Sequence, residues 1–205
     1  AGAAWVLSNE SFLKGSENVN FLKLKASYGH LGYAGNTGYF LWRTNWSKGD
    51  RHEFKPSTGA NTTDLARRGN PDLGWEYSNE LNVGLEGLFL GNRLSAEINY
   101  FREIRKDIIG INNAKYAAVG GSFIPYENIG EVLNRGIDAY VAWNGRAGRD
   151  LTYNIGFNIT YTKNELRKGS ELDDIEVYRK AVGRPTSTIF GWQAQGLFGK
   201  DLSLI

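Results

Sequence analysis

The chain contains no cysteine and no methionine among its 205 residues. Without cysteine it can form no disulfide, hold no metal through thiolates and use no cysteine nucleophile. It also lacks an apolar run of about 20 residues, the length that a membrane-spanning helix requires. The net charge is only +2, and the basic residues are spread along the chain, which argues against a nucleic-acid surface. These absences exclude a helical membrane span and favour neither a metal site nor nucleic-acid binding.

The clearest pattern present is an alternation that runs from Leu151 to Thr162. Every odd position is aliphatic or aromatic, and every even position is small or polar. A period of two places these two sets on opposite faces of one extended strand. At ~3.3 Å per residue and a tilt near ~40°, the strand covers roughly 30 Å, the thickness of a bilayer's hydrocarbon core. The pattern therefore predicts a transmembrane β-strand.

Four further segments alternate in the same way and predict an all-β fold. They are residues 21–28, 80–89, 94–100 and 137–143. Aromatic residues make up 13% of the chain, which fits the aromatic girdles that flank the apolar band of a membrane barrel. We therefore predict an antiparallel transmembrane β-barrel segment. The even positions of residues 151–162, which include Asn154 and Asn158, would face the lumen together with Asn82.

The connections between these segments alternate between short and long. The short ones contain glycine and lie at residues 90–93 and 144–150, and the long, polar ones lie at residues 29–75, 110–135 and 163 onward. Glycine and asparagine in the first short turn accept the positive φ that tight hairpins need. Outer-membrane barrels have short periplasmic turns and long extracellular loops, whereas a soluble sandwich spaces its turns more evenly. Residues 8–13 predict a capped helical turn in a further short connection.

Several sequence blocks, in order along the chain, resemble one known family. They are AWVLSNESFL at 4–13, LKLKASYG at 22–29, NPDLGWE at 70–76, NVGL at 82–85, NIG at 128–130 with NRGID at 134–138, and GRP at 183–185 with GW at 191–192 and GLF at 196–198. A Gly-Asn pair at residues 35–36 follows the second block, as it does in the family. Together the blocks resemble the SusC/RagA-like TonB-dependent transporters of the Bacteroidetes outer membrane.

This resemblance implies a fold, a location and a set of partners. Residues 1–205 would form part of the C-terminal half of a plugged barrel of about 22 strands in the outer-membrane lipid. The parent protein would import a glycan, oligosaccharide or peptide nutrient, with a SusD-like surface lipoprotein as its lid and the TonB complex acting on its plug. Position 1 is not methionine and no signal peptide precedes Trp5, so we expect a mature or internal segment, cut at both ends, without plug domain or TonB box.

Candidate substrate-binding residues lie in the first long connection. They are Tyr39, Trp42, Arg43, Asn45 and Trp46. Flat aromatic faces stack on the C–H surfaces of sugars, while arginine and asparagine bond hydroxyls or carboxylates. Alternatively, residues 39–44 form another strand whose aromatic side chains belong to the interface girdle. The same two possibilities hold for aromatic residues of the next long connection, namely Tyr116, Phe123 and Tyr126.

No catalytic constellation is present, so we expect neither an enzyme nor a cofactor. His30 and His52 are predicted in the first long connection, without a cysteine or a clear carboxylate partner nearby in sequence. An acidic cluster at residues 171–176 offers oxygen ligands for Ca²⁺, but it lacks the EF-hand spacing and glycine, so a solvated or partner-facing patch is expected. Two other classes stay open: a soluble glycan-binding β-sandwich, and a β-rich glycan hydrolase that would need paired acidic groups.

Overall fold

The computed structural model describes residues 1–34, 38–55, 58–116 and 124–193. Its β-strands are β1 (Gly2–Val6), β2 (Val19–Tyr33), β3 (Asn45–Lys55), β4 (Thr58–Arg67), β5 (Glu76–Phe89), β6 (Leu94–Ile111), β7 (Tyr126–Ala147) and β8 (Leu151–Lys168). Short 3-10 turns occur at Leu7–Asn9 and Val177–Arg179. Within the described ranges, the model has no helix with the length and apolar character to span a membrane.

Six of the strands form one sheet in the order β1-β2-β5-β6-β7-β8, and β3 and β4 form a separate hairpin between β2 and β5. Every pairing between neighbours in the large sheet is antiparallel. Apart from the inserted hairpin, each strand pairs with the next one along the chain, as in up-and-down barrels. The predicted all-β, antiparallel fold is confirmed, and in the described residues β1 and β8 do not pair, so the sheet is open.

The strands are longer than the sequence alternation indicates. β7 has 22 residues and β8 has 18, whereas strands of soluble sheets usually have about 5–6. The long connections predicted at residues 110–135 and 163 onward are therefore wrong in part, because β7 already begins at Tyr126 and β8 ends at Lys168. Beyond these segments the alternation becomes irregular, with adjacent apolar residues such as Ile108 and Ile109 in β6 or Val132 and Leu133 in β7, but backbone pairing continues.

The connection predicted at residues 29–75 is also wrong in part. β2 continues to Tyr33, and the hairpin of β3 and β4 occupies much of the remainder. His30 accordingly lies in β2, with Nδ1 2.7 Å from Asn79 Oδ1, and His52 lies in β3. Neither histidine is in an irregular loop as predicted. The hairpin strands lack the regular alternation of apolar and polar residues that predicts β8, so no sequence pattern indicated them.

Three connections lie at one end of the sheet, at residues 7–18, 90–93 and 148–150, and the last two are tight turns. The predicted turn at residues 90–93 is confirmed, and Leu90, Gly91 and Asn92 there have φ values of 55°, 67° and 64°. The second predicted turn is shorter, because β7 extends to Ala147 and leaves only residues 148–150. The helical turn predicted at residues 8–13 is found in part: a 3-10 turn spans Leu7–Asn9 and the N–H of Lys14 donates to the Glu10 carbonyl at 2.8 Å, but the 3-10 turn has no side-chain cap. All long connections lie at the opposite end.

Most of the apolar side chains in the middle of the six strands lie on one face of the sheet. The register places Leu24, Leu85, Ile98, Ala139 and Ile159 side by side, with rows of similar composition on either side. On β8 the apolar side chains from Leu151 to Tyr161 are all exposed. At ~3.3 Å per residue and ~40° tilt, that stretch is about 25 Å tall, the height of the apolar band of an outer-membrane barrel. We call this face the outer belt.

The opposite face is polar and paired. Lys25 Nζ lies 2.6 Å from Glu97 Oε1 and 3.4 Å from Glu86 Oε2, and Lys23 also pairs with Glu86. Asn82, Asn154 and Asn158 are on this face, as predicted, by the register. The buried hydrophobic side chains among the described residues are Leu41, Leu133 and Ala142. The sheet is therefore a single layer with one polar and one apolar face, without a core between two sheets.

Candidate functional site

The predicted binding residues lie at the end of the sheet that carries the long connections. Residues 39–43 form a turn that leads into β3, so the alternative prediction of a strand at 39–44 is wrong. Phe40 has a φ of 57°, in the left-handed region that a continuous strand does not use. β3 begins only at Asn45.

Contacts from the end of β4 hold this turn in place. Arg67 Nη2 donates hydrogen bonds to the carbonyl oxygens of Phe40 (2.9 Å) and Tyr39 (3.3 Å). The backbone N–H of Asn70 donates to the Leu41 carbonyl at 3.3 Å, and the Leu41 side chain is 6% exposed. A buried leucine and a guanidinium clamp thus fix the backbone, while the aromatic side chains of the turn remain free to project.

Four of the five predicted residues come together around one cavity. Tyr39, Arg43, Asn45 and Trp46 line a cavity of about 670 Å³, which Phe40, Thr44 and Arg67 complete. Ligand pockets for small molecules usually have volumes of about 300–1,000 Å³. Trp42 is separated from the others, because it lines a smaller cavity of about 150 Å³ together with residues 73–75. We call the larger cavity the loop cavity.

The loop cavity combines apolar surfaces with hydrogen-bond donors. Tyr39 is 88% exposed and Trp46 is 61% exposed, so both can present ring faces to a ligand. Arg67 Nε is buried and has no hydrogen-bond partner within the described residues. Aromatic faces beside guanidinium and amide groups suit a ligand with both C–H surfaces and hydroxyl or carboxylate oxygens. Sequence reasoning missed Arg67, which lies about two dozen residues away along the chain and reaches the turn only through the β3–β4 hairpin.

A network of side-chain amides joins the segment before β5 to β6 and β7. Asn128 Nδ2 donates to the carbonyl oxygens of Asp107 (2.7 Å) and Gly74 (3.0 Å), and its Oδ1 accepts from the N–H of Gly74 at 2.8 Å. Asn70 Nδ2 donates to the Tyr126 carbonyl at 2.8 Å. These residues belong to the sequence blocks at 70–76 and 128–130. The blocks therefore connect β5, β6 and β7 and have a structural role.

Glu76, at the start of β5, is the one buried charged side chain in the described part of the chain, with 4% exposure. Its Oε2 accepts from Arg105 Nη2 (2.6 Å) and Nε (3.1 Å), and its Oε1 accepts from the N–H of Ile109 (3.1 Å). The Arg105 guanidinium also lies 4.9 Å from the centre of the Tyr33 ring. Asp107, with a φ of 55°, marks the bulge in β6 that brings the Ile109 N–H to this carboxylate.

The connection between β6 and β7 is held by a second carboxylate. Glu127 Oε1 accepts from Lys115 Nζ at 2.7 Å and from the Tyr116 hydroxyl at 2.9 Å. The hydrogen bond from Lys115 holds the pKa of Glu127 below its usual range, so this carboxylate stays charged at neutral pH. Tyr116 thus has a hydrogen-bonding role and Tyr126 begins β7, whereas Phe123 lies outside the described residues.

The acidic cluster at residues 171–176 is partly used within its own loop. Glu171 Oε1 accepts from the backbone N–H groups of Ala181 and Val182, the second at 2.9 Å. Glu171 therefore holds the connection after β8. In the part of the chain that the structure describes, no three His, Asp or Glu side chains are grouped so that they could hold a metal ion.

A single-layer antiparallel sheet with an exposed apolar belt, a polar and paired inner face, and short turns at one end defines the wall of a transmembrane β-barrel. The family model described as "TonB dependent receptor-like, beta-barrel" matches residues 2–200. The chain therefore belongs to the TonB-dependent receptor β-barrel family. This excludes the soluble β-sandwich, and the predicted size of about 22 strands is consistent with the family.

Curated relatives and solved structures agree with this family. TonB-dependent receptor P39 of Formosa agariphila is 27% identical over 97% of this chain, which covers 19% of that protein. TonB-dependent receptor SusC of Bacteroides thetaiotaomicron is 27% identical over 86% of this chain and 18% of its own length. The RagAB peptide transporter matches with a TM-score of 0.71 and 25% identity, covering 90% of this chain and 20% of that one. The SusC/RagA-like resemblance is thus confirmed, and the chain spans about a fifth of the length of these relatives.

Proposed function

We propose that residues 1–205 are part of the barrel domain of an outer-membrane, TonB-dependent importer of a nutrient. The family and the apolar outer belt support this proposal, and the loop cavity at the end with the long connections is the observation that carries it. The imported substrate is a glycan, an oligosaccharide or a peptide. The RagAB relative is a peptide transporter, so we retain peptides as candidate substrates together with glycans. Import changes no covalent bond of the substrate, so the protein is proposed to be a transporter and not an enzyme.

The partners are proposed from the similarity of this chain to SusC and RagAB. A SusD-like surface lipoprotein closes over the extracellular mouth, next to the long connections. The TonB complex supplies energy by acting on the plug of the intact protein. The polar inner face, with its paired lysine and glutamate side chains, suits contact with a plug or with water more than with lipid.

The first experiment is to purify the intact transporter from detergent-solubilised outer membranes and to identify co-purifying proteins by mass spectrometry. We expect one surface lipoprotein in about equal amount. Recovery of the intact protein from the soluble fraction would contradict the barrel proposal. Recovery from the membrane without a lipoprotein would contradict the proposed lid.

The loop cavity is tested by removing its two exposed aromatic side chains. In the intact transporter, Tyr39→Ala combined with Trp46→Ala should weaken substrate binding by about 1–2 kcal/mol, or roughly 5–30-fold, because truncated aromatic anchors lose stacking area. The measurement is binding of a panel of defined oligosaccharides and a peptide digest to the purified complex. Trp42→Ala is the matched control, because Trp42 lines a different cavity. An equal loss in the control, or no loss in the double variant, would contradict the assignment of the loop cavity.

A further inference from the structure

Three basic side chains lie side by side on the outer face of the sheet. Arg102 on β6 is in register with Arg135 on β7, which is in register with Lys163 on β8. Their positions share the parity of the apolar belt, since each is two residues from a belt residue, namely Tyr100, Ile137 and Tyr161. The three therefore form the next row beyond the belt, at the end with the long connections. We call them the basic row.

The three side chains of the basic row are not ion-paired in the described structure. Within the described residues, none of its three side chains makes an ion pair or a side-chain hydrogen bond. By contrast, Lys23 and Lys25 on the inner face pair with glutamates. Glu165, one row further on the same face, offsets one of the three positive charges. The row therefore keeps an excess of positive charge on the face that meets lipid.

This arrangement is unfavourable without an external anion. Like charges directly opposite each other on neighbouring strands destabilise a sheet. Cations on the outer face of a barrel are tolerated only near the membrane interface, where the headgroups lie. Neighbouring strands are about 4.8 Å apart, so a single tetrahedral anion can bridge two adjacent members of the row. Arginine matches the oxygen geometry of phosphate through two parallel hydrogen bonds.

We propose that the basic row binds the phosphate groups of an anionic lipid in the extracellular leaflet. The acyl chains of that lipid would lie against the apolar belt directly below, on the rings of Tyr100 and Tyr161 and on Ile137. The level is that of the headgroups, because the apolar stretch of β8 that ends at Tyr161 is already about 25 Å tall, the height of a barrel's apolar band, although Ile104 and Leu133 lie one row beyond the basic row. The proposal rests on the barrel and its orientation, and it does not depend on the identity of the imported nutrient.

The test uses the purified intact transporter in a detergent that is free of phosphate. Native mass spectrometry would measure the binding of phosphatidate, with diacylglycerol and inorganic phosphate as separate probes. We expect the triple variant Arg102→Gln, Arg135→Gln, Lys163→Gln to bind phosphatidate about a hundredfold more weakly, since three cations near a lipid headgroup are removed. Arg135→Gln alone removes the middle of the row and should give an intermediate loss. Binding of diacylglycerol should be weak and unchanged by either variant.

A matched control removes the same number of positive charges from the β3–β4 hairpin, through Lys48→Gln, Arg51→Gln and Lys55→Gln. This control should bind phosphatidate like the unmodified protein. An equal loss in the control would overturn the proposal, because net charge alone would then explain the binding. Unchanged binding in both basic-row variants would overturn it as well. Inorganic phosphate binding as tightly as phosphatidate would show a site for free phosphate and would also reject the lipid.

Discussion

Phe157→Arg should lower the stability of the intact barrel by about 2–4 kcal/mol, the cost of an arginine at the midplane of a bilayer. Phe157 lies near the middle of the apolar stretch of β8, next to Val141, and its side chain is 68% exposed. On a soluble protein, a change at so exposed a position usually alters stability by no more than about 0.5 kcal/mol. The size of the loss therefore reports directly on the lipid that covers this face.

The measurement is the fraction of intact transporter that stays folded on unheated gels after incubation in lipid vesicles with increasing urea. The control is Thr160→Arg, three residues further along β8 and on the opposite face. Thr160 faces the inner side and is in register with Asp138, so an arginine there meets a polar surface and a carboxylate. Equal tolerance of both variants would show that the belt does not face lipid. Equal damage would show that β8 tolerates no arginine on either face.

Glu76→Ala should be the second most damaging change, with a loss of about 3 kcal/mol in the free energy of unfolding. The buried carboxylate accepts two hydrogen bonds from Arg105 and one from the Ile109 N–H, and alanine leaves all three donors without their acceptor. Arg105 is partly exposed, so water can solvate its guanidinium and the loss stays below the upper end for buried ion pairs. The part-buried N–H of Ile109 also loses its side-chain acceptor.

Glu76→Gln should cost less, since the amide oxygen can still accept from the Ile109 N–H, although the charge is lost and the amide NH2, a donor, cannot accept the two hydrogen bonds from Arg105. Glu53→Ala is the matched control, because Glu53 pairs with Arg51 on the exposed hairpin at 3.8 Å and such pairs contribute at most about 1 kcal/mol. Urea unfolding gives the free energy of unfolding. Limited proteolysis shows whether the long connections remain structured or become accessible to the protease. A Glu76→Ala variant as stable as the control would show that this cluster does not hold the end of the barrel wall.

Two of the sequence blocks that resemble the family, those at residues 70–76 and 128–130, have a structural role. Asn70 and Asn128, taken from two blocks far apart in sequence, bond the backbone of Tyr126, Gly74 and Asp107. A side-chain amide can satisfy both a carbonyl and an N–H of an irregular segment, which explains asparagine at these positions. The blocks therefore identify how the wall is built and do not identify the substrate. The residues of the loop cavity lie mostly outside them.

The candidate site was predictable only in part. The aromatic cluster at residues 39–46 was visible in the sequence, but its division between two cavities was not. Trp42 and Trp46 are four residues apart, yet the left-handed turn at Phe40 and the start of β3 direct them into different surroundings. Arg67 reaches the cavity because the β3–β4 hairpin brings the end of β4 back beside the turn at residues 39–43. No local sequence pattern predicts which distant residue is brought there.

By itself, the sequence determined the strands of the outer belt, their two faces and the tight turn at residues 90–93. These follow from local physics, since alternation places side chains on opposite faces and glycine and asparagine accept positive φ. Only the tertiary structure decided where the strands end, that Glu76 is buried, and that Arg102, Arg135 and Lys163 form one row. Such facts depend on the register between strands, and register is set by pairing across the sheet, which a pattern within one strand does not contain.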